Sequence, residues 1–198
     1  MFATSVWGYA VIPQGARVPV HWDAAGHVNG YGSKAMALWL LPALACSIAA
    51  LFAALARWSP RAAANLKALS AIATASTAVQ AAVHLLVVLN ATGHHVDMLV
   101  GTTLAQALLM LVLGNYMPTL RRNRWIGIRV PWTLRSDETW RRTHELGGRV
   151  FMVLGAVVLV LTLIWPRVAL GVLVVGVLGA VTFLSGYARR IARDERPA

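Results

Sequence analysis

The sequence predicts an all-α integral membrane protein, and three observations lead to this prediction. Of its 198 residues, 58% are hydrophobic and only 13% are charged, unlike a typical soluble domain. Five apolar stretches are long enough to cross a bilayer core of about 30 Å as helices. The basic residues, which give a formal net charge of +11, collect in alternate connections between these stretches. We therefore predict a five-helix transmembrane bundle with an N-terminal extracellular loop or hairpin and a cytoplasmic amphipathic helix.

The composition also excludes several classes of protein. In a soluble chain a net charge of +11 would suggest nucleic-acid binding, but in a membrane protein basic residues collect in the short loops that stay cytoplasmic. We expect no direct contact with nucleic acid. The single cysteine, Cys46, lies inside an apolar stretch, which excludes a disulfide framework within the chain and any cysteine-based metal cluster.

Residues 1–34 differ from the rest, because they contain two prolines, five glycines and scattered polar groups. We expect them to form an ordered extracellular loop domain that is neither helical nor membrane-spanning. Alternation over residues 18–23 predicts a short strand, and the Asn29-Gly30 pair within residues 26–32 predicts a tight turn. A hairpin against the membrane face is the resulting expectation.

The predicted spanning helices are residues 35–55, 66–89, 96–117, 148–165 and 168–187. Pro42 is expected to kink the first of them. The connection at residues 57–67, the segment at residues 118–147 and the basic tail at residues 189–198 are positively charged, whereas the alternate connections are nearly neutral. The positive-inside rule then places the N-terminal loop outside the membrane and the C-terminus in the cytoplasm.

The second predicted helix has polar residues along one face. They fall within an arc of about 120° at 100° per residue, and we group them with one residue of the third helix. The set comprises Ser70, Thr74, Thr77, Gln80, His84 and Gln106. These side chains would form either an interhelical hydrogen-bonded seam or the wall of a wet cavity. The seam is the more ordinary interpretation.

Residues 118–147, which we call the platform, hold seven of the 18 basic residues and three of the 8 tryptophans. Such a segment suits a membrane surface, where arginines face headgroups and indole rings lie at the apolar boundary. Pro118 ends the third helix, and residues 121–134 lack a helical period, so we expect irregular chain there. Ser136 is a good cap for a short helix at residues 137–146.

That short helix is expected to end at Gly147-Gly148. Trp140, Thr143, His144 and Gly147 share one of its faces, at spacings of three and four residues. We expect this face to dock onto the cytoplasmic end of the bundle, where His144 can hydrogen-bond the irregular backbone around residue 129. A purely architectural role for this cluster is an open alternative.

Three motifs in and beside the platform, GNYMP, N-x-W-x-G-I-R-x-P-W-T-L and E-x-W-x-x-T-H-x-L-G-G, resemble the signature loop of the SdpI family of bacterial membrane proteins. The earlier motifs V-P-V-H-W and G-x-x-N-G-Y-G-S-K are similar to the extracellular domain that often precedes the SdpI region. The sequence departs from the pattern at Val130, where Thr is usual, and at Asn29, where Asp is usual. The first spanning helix typical of relatives is also missing, and residues 6–9 look like its end.

The type member of the SdpI family is an immunity protein that protects a toxin-producing bacterium from its own secreted peptide toxin. On sensing the toxin, it is thought to draw a transcriptional repressor to the membrane. The resemblance therefore implies a membrane sensor or protector without catalytic chemistry, and it does not identify the toxin.

The candidate site residues form two motif groups on opposite sides of the membrane. The predicted extracellular partner-binding residues are Pro19, His21, Trp22, Gly26, Asn29, Gly30 and Lys34. The predicted cytoplasmic ones are Asn115, Asn123, Gly127, Arg129, Pro131, Trp132, Thr133, Trp140, Thr143, His144 and Gly147.

We predict no cofactor, no metal and no enzymatic activity. Two outer groups of donors, His21, Asp23 and His27, and His94, His95 and Asp97, could supply zinc or copper ligands, but their spacing matches no metal motif. The seven acidic residues all lie in predicted loops, helix ends or tails, and no nucleophile triad or phosphate loop is present.

Three hypotheses follow for the function. In the first, the chain confers immunity or transmits a signal by binding an extracellular peptide toxin on one side and a cytoplasmic regulator or anionic membrane lipids on the other. In the second, the chain is a small transporter or channel-like bundle that uses the polar face of the second helix. In the third, it is a structural protein whose platform only senses lipid charge.

Overall fold

The computed structural model describes residues 1–59 and 63–195. Arg61 of the predicted basic connection and Arg196 of the basic tail lie outside these residues. The helices are α1 (Phe2–Val11), α2 (Lys34–Trp58), α3 (Leu66–Ala91), α4 (Met98–Tyr116), α5 (Pro131–Arg135), α6 (Asp137–Ile164) and α7 (Pro166–Asp194). The strands are β1 (Arg17–Trp22) and β2 (Val28–Ser33), and a 3-10 turn, Met117–Thr119, follows α4.

Five helices in the described part of the chain, α2, α3, α4 with its 3-10 turn, α6 and α7, are long and apolar enough to cross a membrane. Their outward faces carry large aliphatic side chains. Leu163 and Val175, for example, are each 71% exposed. Such faces suit acyl chains better than water, so the predicted all-α membrane bundle of five spanning helices is confirmed.

The prediction that residues 1–34 contain no helix is wrong for α1. This helix lies against α2 and α3, and its backbone approaches them closely because Gly8 has no side chain. A Cβ atom at Gly8 would lie 2.7 Å from Leu38 Cδ2 and 3.0 Å from Val88 Cγ1. Pro13 follows the helix and limits its C-terminal extension. Tertiary packing thus stabilises a helix too short to be stable alone.

The buried side chain of Lys34 holds the C-terminal end of α1. Its ammonium group donates hydrogen bonds to the carbonyl oxygens of Tyr9, at 2.8 Å, and Ile12, at 2.5 Å. It also lies 4.4 Å from the centroid of the Tyr9 ring. The last carbonyls of a helix lack partners within the helix and favour a positive charge, so Lys34 caps α1 from the start of α2.

The expected hairpin is present as the antiparallel pair of β1 and β2, but its turn lies elsewhere. The Asn29-Gly30 pair belongs to β2, and the chain reverses over residues 23–27, with Gly26 at φ +87°. Asp23 directs this turn, because its Oδ1 accepts the backbone N–H groups of Ala25 and His27. An Asx turn therefore replaces the predicted Asn-Gly turn.

The predicted helix end at Gly147-Gly148 is also wrong, because α6 continues through both glycines to Ile164. They are required by close packing instead. A Cβ at Gly148 would lie 2.7 Å from Pro118 Cγ and 2.8 Å from the carbonyl oxygen of Gly114. Helix α6 meets α4 in the most extensive helix contact of the fold. The amphipathic platform helix expected at residues 137–146 is therefore the first part of a spanning helix.

A further correction concerns residues 121–134, which we predicted to be irregular throughout. Residues Pro131–Arg135 form the single-turn helix α5. Pro131 occupies its first turn, where a missing N–H costs nothing. The Thr133 hydroxyl accepts the backbone N–H of Val130 at 3.1 Å, which satisfies a donor at the helix start.

We expect Gly148→Ala to destabilise the bundle, because the added methyl group overlaps Pro118 and the Gly114 carbonyl. Overpacking of this kind costs about 1–3 kcal/mol, more than the gain of about 1 kcal/mol from replacing a helical glycine. The matched control is Gly186→Ala in α7, where a Cβ meets nothing within 4 Å. Thermal unfolding in detergent should show a lower midpoint for the first variant only; equal midpoints would contradict this packing role.

Candidate functional site

The motif residues gather at two ends of the bundle. We call the end with β1, β2 and the α6–α7 turn the hairpin end, and the opposite end, which carries residues 118–147, the platform end. The platform end holds the more elaborate arrangement of buried polar side chains.

At the centre of the platform lies His144, whose side chain is fully buried. Its Nε2 atom lies 3.0 Å from the backbone nitrogen of Ile128, and its Nδ1 atom lies 2.8 Å from the carbonyl oxygen of Trp140. A backbone N–H only donates, so Nε2 accepts from Ile128 and Nδ1–H donates to Trp140. These contacts define a neutral imidazole in a single tautomer, with both nitrogens engaged.

Residues 120–130, the non-helical part of the platform, are called the platform loop. Gly127 gives this loop room to reach His144. Its φ is +102°, a conformation that favours glycine. A Cβ at this position would collide with His144 Nε2 and would lie 3.3 Å from the Trp140 ring. The lack of a side chain at Gly127 therefore allows the Ile128 N–H to reach the His144 imidazole.

Trp140 holds the loop at a second point. The indole is 2% exposed, and its Nε1–H donates to the carbonyl oxygen of Leu120 at 2.6 Å. It stacks on the His144 ring with 4.0 Å between ring centroids and 17° between planes. One helical turn of α6 thus binds both the beginning and the middle of the loop.

The loop backbone is satisfied by its own short side chains. Asn123 accepts the backbone N–H groups of Trp125 and Ile126 and donates to the carbonyl of Arg121. The buried hydroxyl of Thr133 donates to the carbonyl of Ile128 at 2.7 Å. Such internal pairing favours one conformation of the segment.

The predicted cytoplasmic site residues therefore divide into two sets. Those buried in the platform scaffold are Asn123, Thr133, Trp140, Thr143, His144 and Gly147. Those left exposed are Asn115, Gly127, Arg129 and Pro131, while Trp132 is half-buried with the Arg189 guanidinium 5.7 Å from its ring centroid. The Thr143 hydroxyl has no hydrogen-bond partner within residues 1–59 and 63–195. The buried set holds the platform loop in one conformation.

At the hairpin end, several predicted extracellular residues serve the hairpin itself. The His21 ring forms a hydrogen bond with the Asn29 side chain. Gly30 leaves space for His21, because a Cβ added at position 30 would lie 2.8 Å from the Cβ of His21. Pro19 is half-buried opposite Tyr31. Lys34 caps α1 as described above.

Trp22 and Gly26 line two adjoining cavities. A cavity of about 420 Å³ lies between the hairpin and helices α2, α3 and α4, with a mainly apolar wall that includes Met36 and Val87. The second, of about 740 Å³, reaches the α6–α7 turn and includes the polar residues His95, Asp97 and Arg167. Both volumes are in the range of small-molecule pockets, about 300–1,000 Å³.

The two carboxylates among the candidate metal donors of the hairpin end accept hydrogen bonds from nearby backbone. The Asp23 carboxylate accepts backbone N–H groups, and the His27 backbone N–H is the main cause of the lowered pKa of Asp23. Asp97 caps α4 by accepting the N–H of Val100. Within the part of the chain that the structure describes, no group of three or more His, Cys, Asp or Glu side chains could hold a metal ion.

The predicted polar seam is not continuous. Ser70, Thr74 and Gln106 are exposed, while Thr77 and Gln80 are half-buried. The Ser70 hydroxyl donates to the carbonyl of Lys67 in its own helix. Such local bonds satisfy a hydroxyl on a lipid-facing surface without a partner helix. These positions favour neither a continuous hydrogen-bonded seam between helices nor a continuous polar path through the bundle.

His84 is the exception, because it is fully buried. Its Nε2 atom lies 3.0 Å from the Ser5 hydroxyl, which donates to the carbonyl of Leu38 at 2.7 Å. This polar contact joins α3 to α1 and α2. Sequence reasoning missed it, because it treated residues 1–34 as non-helical.

Sequence reasoning also missed contacts that join the platform to the ends of other helices. The buried Asn65 accepts the backbone N–H of Arg121 at 2.7 Å, and the indole of Trp125 donates to the Ser59 hydroxyl at 3.1 Å. An asparagine just before a helix is a recognisable cap signal, but here its side chain bonds across the fold.

We expect His144→Ala to loosen the platform loop, because the buried Ile128 N–H would lose its acceptor, at a cost of about 1–3 kcal/mol. Amide hydrogen exchange should rise over residues 126–130. His95→Ala, at an exposed position of the hairpin end, is the control and should leave that exchange unchanged. Unaltered protection in the His144 variant would show that the imidazole does not hold the loop.

Comparison with known proteins agrees with the motifs. Residues 119–186 match the SdpI/YfhL protein family, and residues 1–46 match a domain of unknown function, DUF1648. The immunity protein SdpI of Bacillus subtilis (strain 168) is 28% identical over 87 residues, which are 44% of this chain and 41% of that protein. The alignment thus spans less than half the length of the curated relative. No solved structure matches. The predicted family resemblance is confirmed.

Proposed function

We propose that this chain, which carries an SdpI/YfhL-family region at residues 119–186, is a non-catalytic membrane protein that confers immunity to a secreted peptide toxin or transmits a signal of its presence. The observation that carries the proposal is the position of the family region. It covers most of the platform together with the two spanning helices behind it. The named relative, an immunity protein, aligns with less than half of this chain.

The chemistry of the platform supports a binding role over a catalytic one. His144 has both ring nitrogens in hydrogen bonds and no exposed surface, so it has no free position from which to accept a substrate proton. The exposed surface beside it carries arginines, which suit acidic partners and anionic headgroups. Arg129, Arg135 and Arg142 are exposed on this surface.

In this proposal the two ends of the bundle meet different partners. The hairpin end, with its paired cavities around Trp22, receives the external peptide. The platform end holds the cytoplasmic regulator or the anionic membrane lipid. Helix α6 connects the ends without interruption, from Asp137 at the platform to Ile164 near the second cavity. Movement at one end of a rigid helix can therefore reach the other.

The proposal requires the hairpin end to lie outside the cell, as the loop charges indicate. In a Cys46→Ala background, a membrane-impermeant maleimide should label His95→Cys on intact cells. It should label Arg135→Cys only after lysis, because this exposed site lies on the platform. The opposite pattern would place the platform outside and contradict the proposed arrangement.

Immunity can be tested by expressing the chain in a bacterium sensitive to an Sdp-type peptide toxin and measuring survival after challenge. The parent chain should protect, and His144→Ala, matched for membrane level, should protect less because its platform is loosened. Trp22→Ala should also reduce protection through the outer cavities, whereas Gln14→Ala, at an exposed position that lines neither cavity, is the matched surface control. No protection by a parent chain present in the membrane would contradict an immunity role.

A further inference from the structure

The platform end holds a cavity whose ligand the proposed function does not specify. Its volume is about 430 Å³, and it lies where the platform loop meets α3, α4, α6 and α7. Its apolar floor includes Met117, Leu120 and Phe151, each less than 8% exposed. A cavity of this size and polarity suits part of a small amphiphile.

The wall formed by residues 127–130 is built in advance of any ligand. Ile128 is held from both sides of its peptide unit, because its N–H donates to His144 and its carbonyl accepts from Thr133. Gly127 takes the backbone conformation that brings this wall into place. The cavity therefore does not depend on a mobile loop.

Among the residues that the structure describes, Arg129 is the only ionisable side chain that lines the cavity. It is exposed and donates one hydrogen bond, to the carbonyl of Arg124 at 2.9 Å, out of the five N–H donors of a guanidinium. The three acids of the platform pair with other arginines: Asp137 with Arg122, and Glu138 and Glu145 with Arg141. The charge beside the cavity is thus positive.

The rim of the cavity faces the apolar surface of the bundle. Val181 of α7 lines it and is 45% exposed, and Ile72 of α3 lines the same cavity. Both belong to helices that can span the membrane, so an acyl chain could enter sideways from the bilayer. An arginine beside an apolar cavity at this level of a bilayer is placed to bind a headgroup phosphate.

We propose that this cavity binds one acyl chain of an anionic phospholipid from the platform-side leaflet, while Arg129 binds the phosphate of its headgroup. A bidentate contact from guanidinium to phosphate is charge-assisted and directional. The apolar cavity selects for the acyl chain of the lipid, and Arg129 selects for its negative headgroup. This inference rests on the lipid-binding part of the proposed function, and it does not depend on whether the chain confers immunity.

The experiment measures lipids retained by the purified protein, using native mass spectrometry after exchange into equal mixtures of phosphatidylglycerol and phosphatidylcholine. The parent should retain one phosphatidylglycerol per chain in preference to phosphatidylcholine. Arg129→Gln should reduce that preference by about tenfold or more, because the proposed bidentate contact comprises two hydrogen bonds between charged groups. Arg135→Gln, which removes an equal charge from α5 outside the cavity, should keep the preference of the parent.

A second variant tests the cavity itself. Ser185→Phe should fill it and reduce retention of both lipids. Within residues 1–59 and 63–195 the Ser185 hydroxyl bonds only the Val181 carbonyl of its own helix, so the substitution removes no tertiary hydrogen bond there. Soluble glycerol phosphate, which lacks an acyl chain, should not displace the lipid. Equal preference in the Arg129→Gln and Arg135→Gln proteins would overturn the proposal. So would full displacement by glycerol phosphate, which would indicate a site for free anions.

Discussion

The pair of hydrogen bonds made by His144 is the constraint on which the platform depends. A buried backbone N–H without a partner costs about 1–3 kcal/mol, so Ile128 requires the imidazole acceptor, and the imidazole in turn requires Trp140 to define its tautomer. The same demand explains the glycine at position 127, since any side chain there would occupy the space of the ring. One buried imidazole therefore determines the course of the exposed loop.

This constraint acts through a single rigid element. The helix that carries His144 continues across the bundle, and glycines at positions 114 and 148 let its backbone contact α4 directly. Platform and spanning helix are thus one body. The acidic first turn of α6 and its Ser136 cap further stabilise the end that carries the loop. A platform built in this way presents a fixed surface to a partner or a lipid.

The opposite end is organised by different interactions. There, Lys34 holds the last carbonyls of α1, and the buried contact of Ser5 with His84 fastens the same helix to α3. The hairpin lines two cavities around Trp22. The bundle therefore separates its polar chemistry into two ends, and the middle is largely apolar packing.

The sequence by itself determined the class and count of spanning helices, the Ser136 cap and the presence of a hairpin, because hydropathy, capping and alternation are local properties. It also located the face that joins Trp140, Thr143 and His144. Only the tertiary structure decided that α1 is a helix, that Gly147-Gly148 continue α6 and that Asn65 bonds Arg121. Each of these depends on a neighbour distant in the chain. A glycine pair predicts a helix end unless the helix packed against it is known. A short helix is stable only where it packs against other helices.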